Sequence, residues 1–315
     1  MIHLLKRFKP AITLYNLLHA RQLRHNEEAY RTYGLNKHLF QSLSSKDFPD
    51  KTSRAWLDQQ DSRIVLKEDA RLASFPEHVQ TGILGWSDQG YLIWEKFLSR
   101  ETIADINEEA SRIALSGKVS ITHDNKYPFL NRESKKIDDI TRNPELIRLL
   151  SLLLGKEVVP FQTLNFVKGS GQRAHSDSIH MTTYPLGYLI AVWIALEDVH
   201  PDSGPLCYYP GSHKLPYLLN DDFGKISTAW MTGNRSYAEY EDVIEDLIHK
   251  QNLEPAVFLP KAGDILVWHA NLLHGGQPIE NPDRTRKSMV VHYYAKDVIK
   301  YHELTERPSL MAGSR

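Results

Sequence analysis

The sequence predicts a mainly β fold, a jelly-roll-type double sheet with helices gathered on its N-terminal side. From residue 157 onward, short runs rich in Val, Phe, Thr and Leu alternate with glycine and proline turns, a texture typical of double-sheet barrels. Residues 1 to about 80 are instead predicted to form helices and irregular structure, interrupted by polar turn clusters. The 315 residues are enough for one large buried core.

The predicted elements follow in chain order. A first strand covers the apolar run at residues 91–94, and Ser99 is a good N-cap for a helix over 100–115 with acidic residues in its first turns. A second helix over 144–154 should stop at Gly155. We expect a third helix over 237–250, and strands over 158–168, 188–196, 206–209, 256–259, 264–268 and 287–295.

Two parts are expected along the chain. Residues 1–80 form a helical and irregular extension packed on the barrel, and residues 81–315 form the barrel domain. A more polar insertion around residues 221–252 interrupts the barrel and could form a lid over its mouth. In that lid, Phe223, Trp230, Tyr237 and Tyr240 would offer apolar surface, and Arg235 a contact for an anionic group.

Composition excludes several classes of protein. A net charge of −1 argues against a nucleic-acid partner, and the single cysteine, Cys207, cannot form an intrachain disulfide. No segment approaches the roughly 20 apolar residues of a transmembrane helix. We therefore expect a cytoplasmic protein. The basic, amphipathic residues 1–25 pack as a helix on the domain or lie on a membrane surface.

A candidate metal site begins at His175 and Asp177. Side chains two residues apart on an extended backbone point to the same face, so this imidazole and this carboxylate can reach one ion. Two histidines and one carboxylate are the recurrent ligands of non-haem iron(II) oxygenases. His274 is the candidate third ligand, because Gly275 and Gly276 let the backbone approach closely, and His269 is its rival.

A candidate anchor for a dicarboxylate follows His274. Arg286 and Ser288 share one face of a predicted strand, and a guanidinium binds carboxylate in a bidentate manner. Arg284 is the alternative, but the following strand gives Arg286 a rigid support.

These blocks resemble the phytanoyl-CoA dioxygenase family over roughly residues 80 to 297. The resemblance rests on His175-Ser176-Asp177, residues 187–198 and 204–214, His274-Gly275-Gly276 and Arg286-Lys287-Ser288. It implies a double-stranded β-helix (a jelly-roll, cupin-like barrel) with Fe(II) held by His175, Asp177 and His274. It also implies 2-oxoglutarate bound by Arg286 with Ser288, and three further residues near that co-substrate: Trp193, Asn165 and Thr163.

The activity implied by the resemblance is hydroxylation of an unactivated C–H bond of a small organic substrate, with O₂ consumed and succinate and CO₂ released. Ascorbate could support it. Asp177 favours hydroxylation over halogenation, because related halogenating enzymes lack this carboxylate. Residues bordering the substrate should include Ser178, His180, Thr182 and Tyr184. The alternatives are a zinc hydrolase on the same ligands and a metal-free binding module, and the sequence specifies neither the substrate nor the oligomeric state.

Overall fold

The computed structural model of the protein describes residues 2–48, 50, 52–122 and 125–311. Twelve strands and twelve α-helices are present in these ranges. The strands are β1 (Tyr91–Trp94), β2 (Lys126–Pro128), β3 (Val158–Phe166), β4 (Thr182–Tyr184), β5 (Leu189–Ala195), β6 (Leu206–Tyr208), β7 (Ala256–Phe258), β8 (Ile265–His269), β9 (His274–Gly276), β10 (Ser288–Ala295), β11 (Ile299–His302) and β12 (Arg307–Pro308).

Eleven of the twelve helices in the described ranges lie before β3. The twelve are α1 (Ile2–Arg7), α2 (Lys9–Leu18), α3 (Ala20–Leu23), α4 (Glu27–Thr32), α5 (Trp56–Gln59), α6 (Ser62–Val65), α7 (Glu77–Leu84), α8 (Trp86–Gln89), α9 (Arg100–Leu115), α10 (Lys135–Thr141), α11 (Pro144–Leu154) and α12 (Tyr237–Lys250). Within the described ranges, no helix is both long and apolar enough to cross a bilayer.

The helix ends follow the capping residues in the sequence. The Ser99 hydroxyl accepts a hydrogen bond from the Thr102 amide at the start of α9. Asn143 caps α11 in the same way, and Gly155 ends that helix in the left-handed region at φ 65°. Ser236 and Glu239 form a reciprocal capping box at the start of α12. All three predicted helices are therefore confirmed with the predicted bounds.

One large antiparallel sheet and two small ones form the barrel. The six-stranded sheet has the order β1-β8-β5-β10-β3-β2, and the small sheets have the orders β7-β6-β9 and β12-β11-β4. The large sheet is buried on both faces, as the continuous apolar sequence of β5 predicts. The predicted jelly-roll class is confirmed.

The two faces of the large sheet belong to different cores. Ile190, Val192 and Ile194 of β5 point outward into a core shared with helices α5 to α11. Ala191, Trp193 and Ala195 point inward, where they meet the β7-β6-β9 sheet across the barrel. This alternation decides which side chains can reach the interior.

Residues near both termini pack on the barrel. Ala29, Tyr30 and Phe48 share a small core with Ile299 and Tyr301 of β11, while residues of α5 to α7 join the core outside the large sheet. Residues on both sides of position 80 thus enter the same core. The expected domain boundary at residue 80 stays a prediction.

A buried carboxylate ties three distant segments together. Glu303 accepts hydrogen bonds from the Ser45 amide and hydroxyl, both at 2.8 Å, and from the Asn220 amide at 3.1 Å. Burial raises the pKa of Glu303, although these donors oppose the rise. The N-terminal extension, the start of the insertion and the C-terminal segment are thereby held at one point.

Candidate metal and co-substrate site

Three predicted side chains converge inside the barrel. One potential ligand atom from each of His175, Asp177 and His274 lies within 4.8 Å of the other two. The histidines face each other across a single antiparallel bridge, where each amide donates to the other's carbonyl at 2.9 Å. Ser176 is extended (φ −112°, ψ 147°), so Asp177 lies on the same side as His175.

Hydrogen bonds fix which ring nitrogen of each histidine is available. Nδ1 of His175 lies 2.9 Å from the Arg173 carbonyl, and Nδ1 of His274 lies 2.9 Å from the Leu272 carbonyl. A carbonyl oxygen can only accept, so Nδ1 carries a proton in both rings and Nε2 is the ring nitrogen left to face an ion. Burial lowers the pKa of His175 to about 3, which keeps the ring neutral at physiological pH.

Neighbouring side chains orient the Asp177 carboxylate and favour its ionised form. The Trp268 indole N–H donates to Asp177 Oδ2 at 2.8 Å, and His292 Nε2 lies 3.4 Å from the same oxygen. The other oxygen, Oδ1, lies 3.8 Å from His274 Nε2. Burial alone would raise the pKa of Asp177, but the His274 and His292 rings lower it well below its usual value. Oδ1 is therefore an ionised oxygen turned toward the histidines.

The rival ligand His269 does not reach this site. It lies on the outer face of β8, where its Nδ1 accepts from the Asn271 amide at 3.0 Å. Its Nε2 therefore carries the proton, and Asp58 Oδ1 lies 3.1 Å away. Both ring nitrogens are used in structural bonds, so the prediction of His274 over His269 agrees with the geometry.

The glycines after His274 have a role beyond the predicted one. A Cβ on Gly275 would stand 2.8 Å from the Gln172 carbonyl oxygen, and one on Gly276 would stand 3.0 Å from the Gly171 nitrogen. The pair lets β9 approach the chain segment that precedes His175. It brings the two histidines together, and Gly275 also lines the cavity.

A buried cation faces the same cavity. Arg286 is 2% exposed, and its guanidinium lies 5.4 Å from the Phe166 ring and 5.6 Å from the Trp193 ring. Among the described residues, no hydrogen bond or ion pair to this side chain is found, and Nε is buried without a partner. Burial lowers the pKa of Arg286 to about 10, so the group stays charged at neutral pH. The alternative, Arg284, is exposed and pairs with Asp202 at 2.7 Å.

The other predicted co-substrate contacts divide between the two faces of the sheet. Trp193 points into the barrel. Ser288 pairs with Phe166 and Ala195 and lies on the same inward face, and its buried hydroxyl has no hydrogen-bond partner among the described residues. Asn165 and Thr163 pair with Met289 and Val291, which belong to the core outside the sheet. The prediction that these two residues face the co-substrate is wrong, because Leu164 and Phe166 occupy the inward positions of β3.

The site residues share one cavity with several side chains that sequence reasoning missed. Lys126, Trp268 and His292 are the missed polar residues. A period of two from Arg286 and Ser288 would have placed His292 on the inward face. The full lining is Lys126, Leu164, Phe166, Ser170, Gln172, His175, Asp177, Trp193, Leu206, Trp268, His274, Gly275, Arg286, Val290 and His292.

Three residues expected to border the substrate are turned away from this cavity. Ser178 bonds Asn271 at 3.2 Å, the Thr182 hydroxyl donates to the Ser178 carbonyl at 2.6 Å, and Tyr184 stacks on Phe48. The expectation failed because a 3₁₀ helix at Asp177–Ile179 ends the extended backbone directly after the ligand segment. His180 does not line this cavity either, and its ring lies 4.5 Å from that of Tyr237.

The insertion packs against the ligand segment through α12. Tyr237 accepts a hydrogen bond from Gln172 at 3.2 Å, and Tyr240 accepts one from the Ser176 amide at 3.3 Å. Arg173 pairs with Asp242 and Glu245 on the same helix. Trp230 is instead exposed beside the N-terminal helices, and Arg235 pairs with Glu239.

Sequence comparison agrees with this geometry. The profile of the family "Phytanoyl-CoA dioxygenase (PhyH)" matches residues 86–288, well over half of the chain. A probable alpha-ketoglutarate-dependent hypophosphite dioxygenase from Stutzerimonas stutzeri is 25% identical over 232 residues, 67% of this chain and 76% of that protein. Phytanoyl-CoA dioxygenase domain-containing protein 1 from Danio rerio is 31% identical over 97 residues, 30% of this chain and 27% of that protein.

Solved structures share the fold. The non-heme alpha ketoglutarate dependent carbocyclase SnoK from nogalamycin biosynthesis superposes with a TM-score of 0.60 at 17% identity, covering 77% of this chain and 90% of that one. The apo form of EctD from S. alaskensis gives 0.56 at 18% identity, covering 78% and 85%. From the family match and the His-Asp-His cluster together, the chain belongs to the phytanoyl-CoA dioxygenase family and is a 2-oxoglutarate-dependent non-haem iron dioxygenase.

Proposed function

We propose that the protein hydroxylates a C–H bond of a small organic substrate, with Fe(II) held by Nε2 of His175, Oδ1 of Asp177 and Nε2 of His274. The observation that carries the proposal is the arrangement of two imidazoles and one ionised carboxylate, with one potential ligand atom of each within 4.8 Å of the others. Bound iron would supply activation of O₂, coupled to conversion of 2-oxoglutarate to succinate and CO₂.

Arg286 supports 2-oxoglutarate as the co-substrate. Its guanidinium is buried and charged at one side of the cavity that His175, Asp177 and His274 also line. The distal carboxylate of 2-oxoglutarate would neutralise it, with the Ser288 hydroxyl as a second donor. The Trp193 and Phe166 rings exclude water around this pair and hold the guanidinium in place.

The residues around the ligands hold them in one orientation. Trp268 fixes Oδ2 of Asp177 and leaves Oδ1 for the metal, while the Arg173 and Leu272 carbonyls set the histidine tautomers. Gln172 lies 3.3 Å from His175 Nε2, so its amide must turn aside when that nitrogen binds an ion.

A direct test separates this proposal from a zinc hydrolase on the same ligands. Anaerobic protein loaded with Fe(II) should develop a visible absorption band when 2-oxoglutarate is added, because the keto acid chelates the iron. His274→Ala should lose both the band and succinate release. A zinc site would give no band, and a band that survives His274→Ala would disprove the ligand assignment.

The substrate is then found by a succinate-release screen with iron, ascorbate and 2-oxoglutarate present. The panel should include acyl thioesters, amino-acid derivatives and sugars. It should also include small oxyanions, because the relative from S. stutzeri is named for hypophosphite and because Lys126 and Arg286 both line the cavity. Substrate-dependent succinate release with no hydroxylated product would refute C–H hydroxylation while leaving the dioxygenase assignment intact.

A further inference from the structure

The N-terminal helix α2 is apolar on two opposite faces. Ile12 and Asn16 are buried against the domain, and the Asn16 amide donates to the Phe40 carbonyl at 3.0 Å. Leu14, Leu17 and Leu18 have the three- and four-residue spacing of a single helix face, on the other side. Leu14 is 61% exposed and Leu18 is 76% exposed. A helix with apolar residues on both sides is normally covered on both.

A tryptophan of the insertion extends this exposed face. The Lys9 amide donates to the Trp230 carbonyl at 2.9 Å, and Phe8 forms an antiparallel bridge with Met231. Trp230 is 66% exposed and lines one groove together with Leu14 and Leu17. We call Leu14, Leu17, Leu18 and Trp230 the leucine–tryptophan face. It shares no described residue with the lining of the metal-site cavity.

The N-terminal segment that carries most of this face is basic. Residues 1–26 contain five basic residues and no Asp or Glu, although the whole chain has a net charge of −1. The five are Lys6, Arg7, Lys9, Arg21 and Arg24. Lys9 is paired with Glu306 at 3.0 Å and Arg7 bonds the Thr232 carbonyl, whereas Lys6 and Arg21 are exposed at the two ends of the helical segment.

We propose that the leucine–tryptophan face docks the enzyme reversibly on the surface of an anionic lipid bilayer. Exposed leucines can enter the boundary between headgroups and acyl chains, tryptophan prefers that depth, and flanking Lys and Arg side chains meet anionic headgroups. A bilayer fits better than a second copy of this chain, because an identical face would bring its own cations against these cations. The proposal does not depend on the reaction or the metal.

The experiment is vesicle sedimentation with the full-length protein. Vesicles of phosphatidylcholine alone are compared with vesicles that also contain phosphatidylglycerol, at low and high salt. We expect binding to the anionic vesicles, weakened by salt, with a blue shift of tryptophan fluorescence that Trp230→Phe removes. Lys6→Gln with Arg21→Gln should weaken binding about 25-fold, at about fivefold per charge. Leu14→Ser with Leu18→Ser should weaken it at least about tenfold.

Matched controls come from another surface. Leu115 is 89% exposed at the end of α9, and Lys118 is exposed nearby. Leu115→Ser with Lys118→Gln should leave vesicle binding unchanged. Sedimentation with neither vesicle type would overturn the proposal, and so would equal binding to both. Self-association that Leu14→Ser abolishes, in protein that does not bind vesicles, would assign the face to a second copy of this chain instead.

Discussion

Replacing Arg286 with methionine should have opposite effects on stability with and without the co-substrate. Burial lowers the pKa of Arg286 from 12.5 to about 10. At neutral pH the group is protonated in both the folded and the unfolded chain, so the full cost of burying the charge is present. At about 1.4 kcal/mol per pKa unit, that cost is about 3 kcal/mol.

Two aromatic rings offset part of this cost. The guanidinium lies 5.4 Å from the Phe166 ring and 5.6 Å from the Trp193 ring, and such contacts are worth about 1–2 kcal/mol together. Methionine fills much of the same space without the charge. Arg286→Met should therefore raise the free energy of unfolding of the metal-free protein by about 1–2 kcal/mol.

With ligand, the order should reverse. Wild type in Mn²⁺ and 2-oxoglutarate, at about a hundred times the dissociation constant, should gain about 2.7 kcal/mol, whereas Arg286→Met should gain little from the keto acid. Urea unfolding with and without ligand measures both effects. Arg284→Met is the matched control, because Arg284 is exposed and paired with Asp202. It should shift stability by less than about 0.5 kcal/mol and keep the ligand response.

Two outcomes would refute this reasoning. If ligand-free Arg286→Met unfolds more easily than wild type, the buried guanidinium does not lower the free energy of unfolding of the ligand-free protein. If the variant keeps the full stabilisation by 2-oxoglutarate, the distal carboxylate binds elsewhere.

Three further predictions concern the metal ligands and acid stability. Trp268→Phe removes the 2.8 Å donor to Asp177 and should weaken iron binding about 10- to 100-fold. The control Trp56→Phe loses a 3.0 Å bond to the Leu153 carbonyl and should leave iron binding unchanged. Unchanged iron affinity in Trp268→Phe would contradict the orienting role of Trp268. His269→Gln should still bind one equivalent of iron, measured by metal analysis; loss of the metal would return His269 to the ligand set. Burial lowers the pKa of five histidines to about 3 or 4, so the folded protein excludes protons that the unfolded chain binds below pH 6.5. The free energy of unfolding should therefore fall on acidification below pH 6.5, by up to about 1.4 kcal/mol per pH unit for each ring. Circular dichroism of the metal-free protein should show unfolding near pH 5. Equal free energies of unfolding at pH 7.5 and pH 5 would contradict this prediction. The five are His25, His175, His180, His213 and His302.

Local chemistry explains what could be predicted from the sequence. Ser99, Asn143 and Ser236 satisfy amides within three residues of themselves, so the starts of α9, α11 and α12 were visible without any tertiary information. His175 and Asp177 are two residues apart, and their common side follows from one extended residue between them. His274 and Arg286 were candidates from the glycine pair after His274 and from the strand face shared by Arg286 and Ser288, and the resemblance between sequence blocks joined them to the first pair.

Contacts between strands explain what could not be predicted. Trp268 reaches Asp177 across 91 positions of the chain, and only the packed barrel brings the two together. Asn165 and Thr163 were assigned to the wrong face, because β3 packs between the helices and the barrel interior. No polar alternation marks the inner side of such a strand.

The sequence by itself determined the helix ends, the approximate positions of the strands, and the residue types of a 2-His-1-carboxylate site, because each depends on neighbours a few positions away or on a spacing that survives in the sequence. Tertiary structure decided that His274 and not His269 meets Asp177, that His292 and Trp268 complete its surroundings, and that Arg286 is buried beside the same cavity. Those outcomes follow from which face of each strand turns inward. In a sheet covered on both sides, only the pairing register between strands fixes that choice.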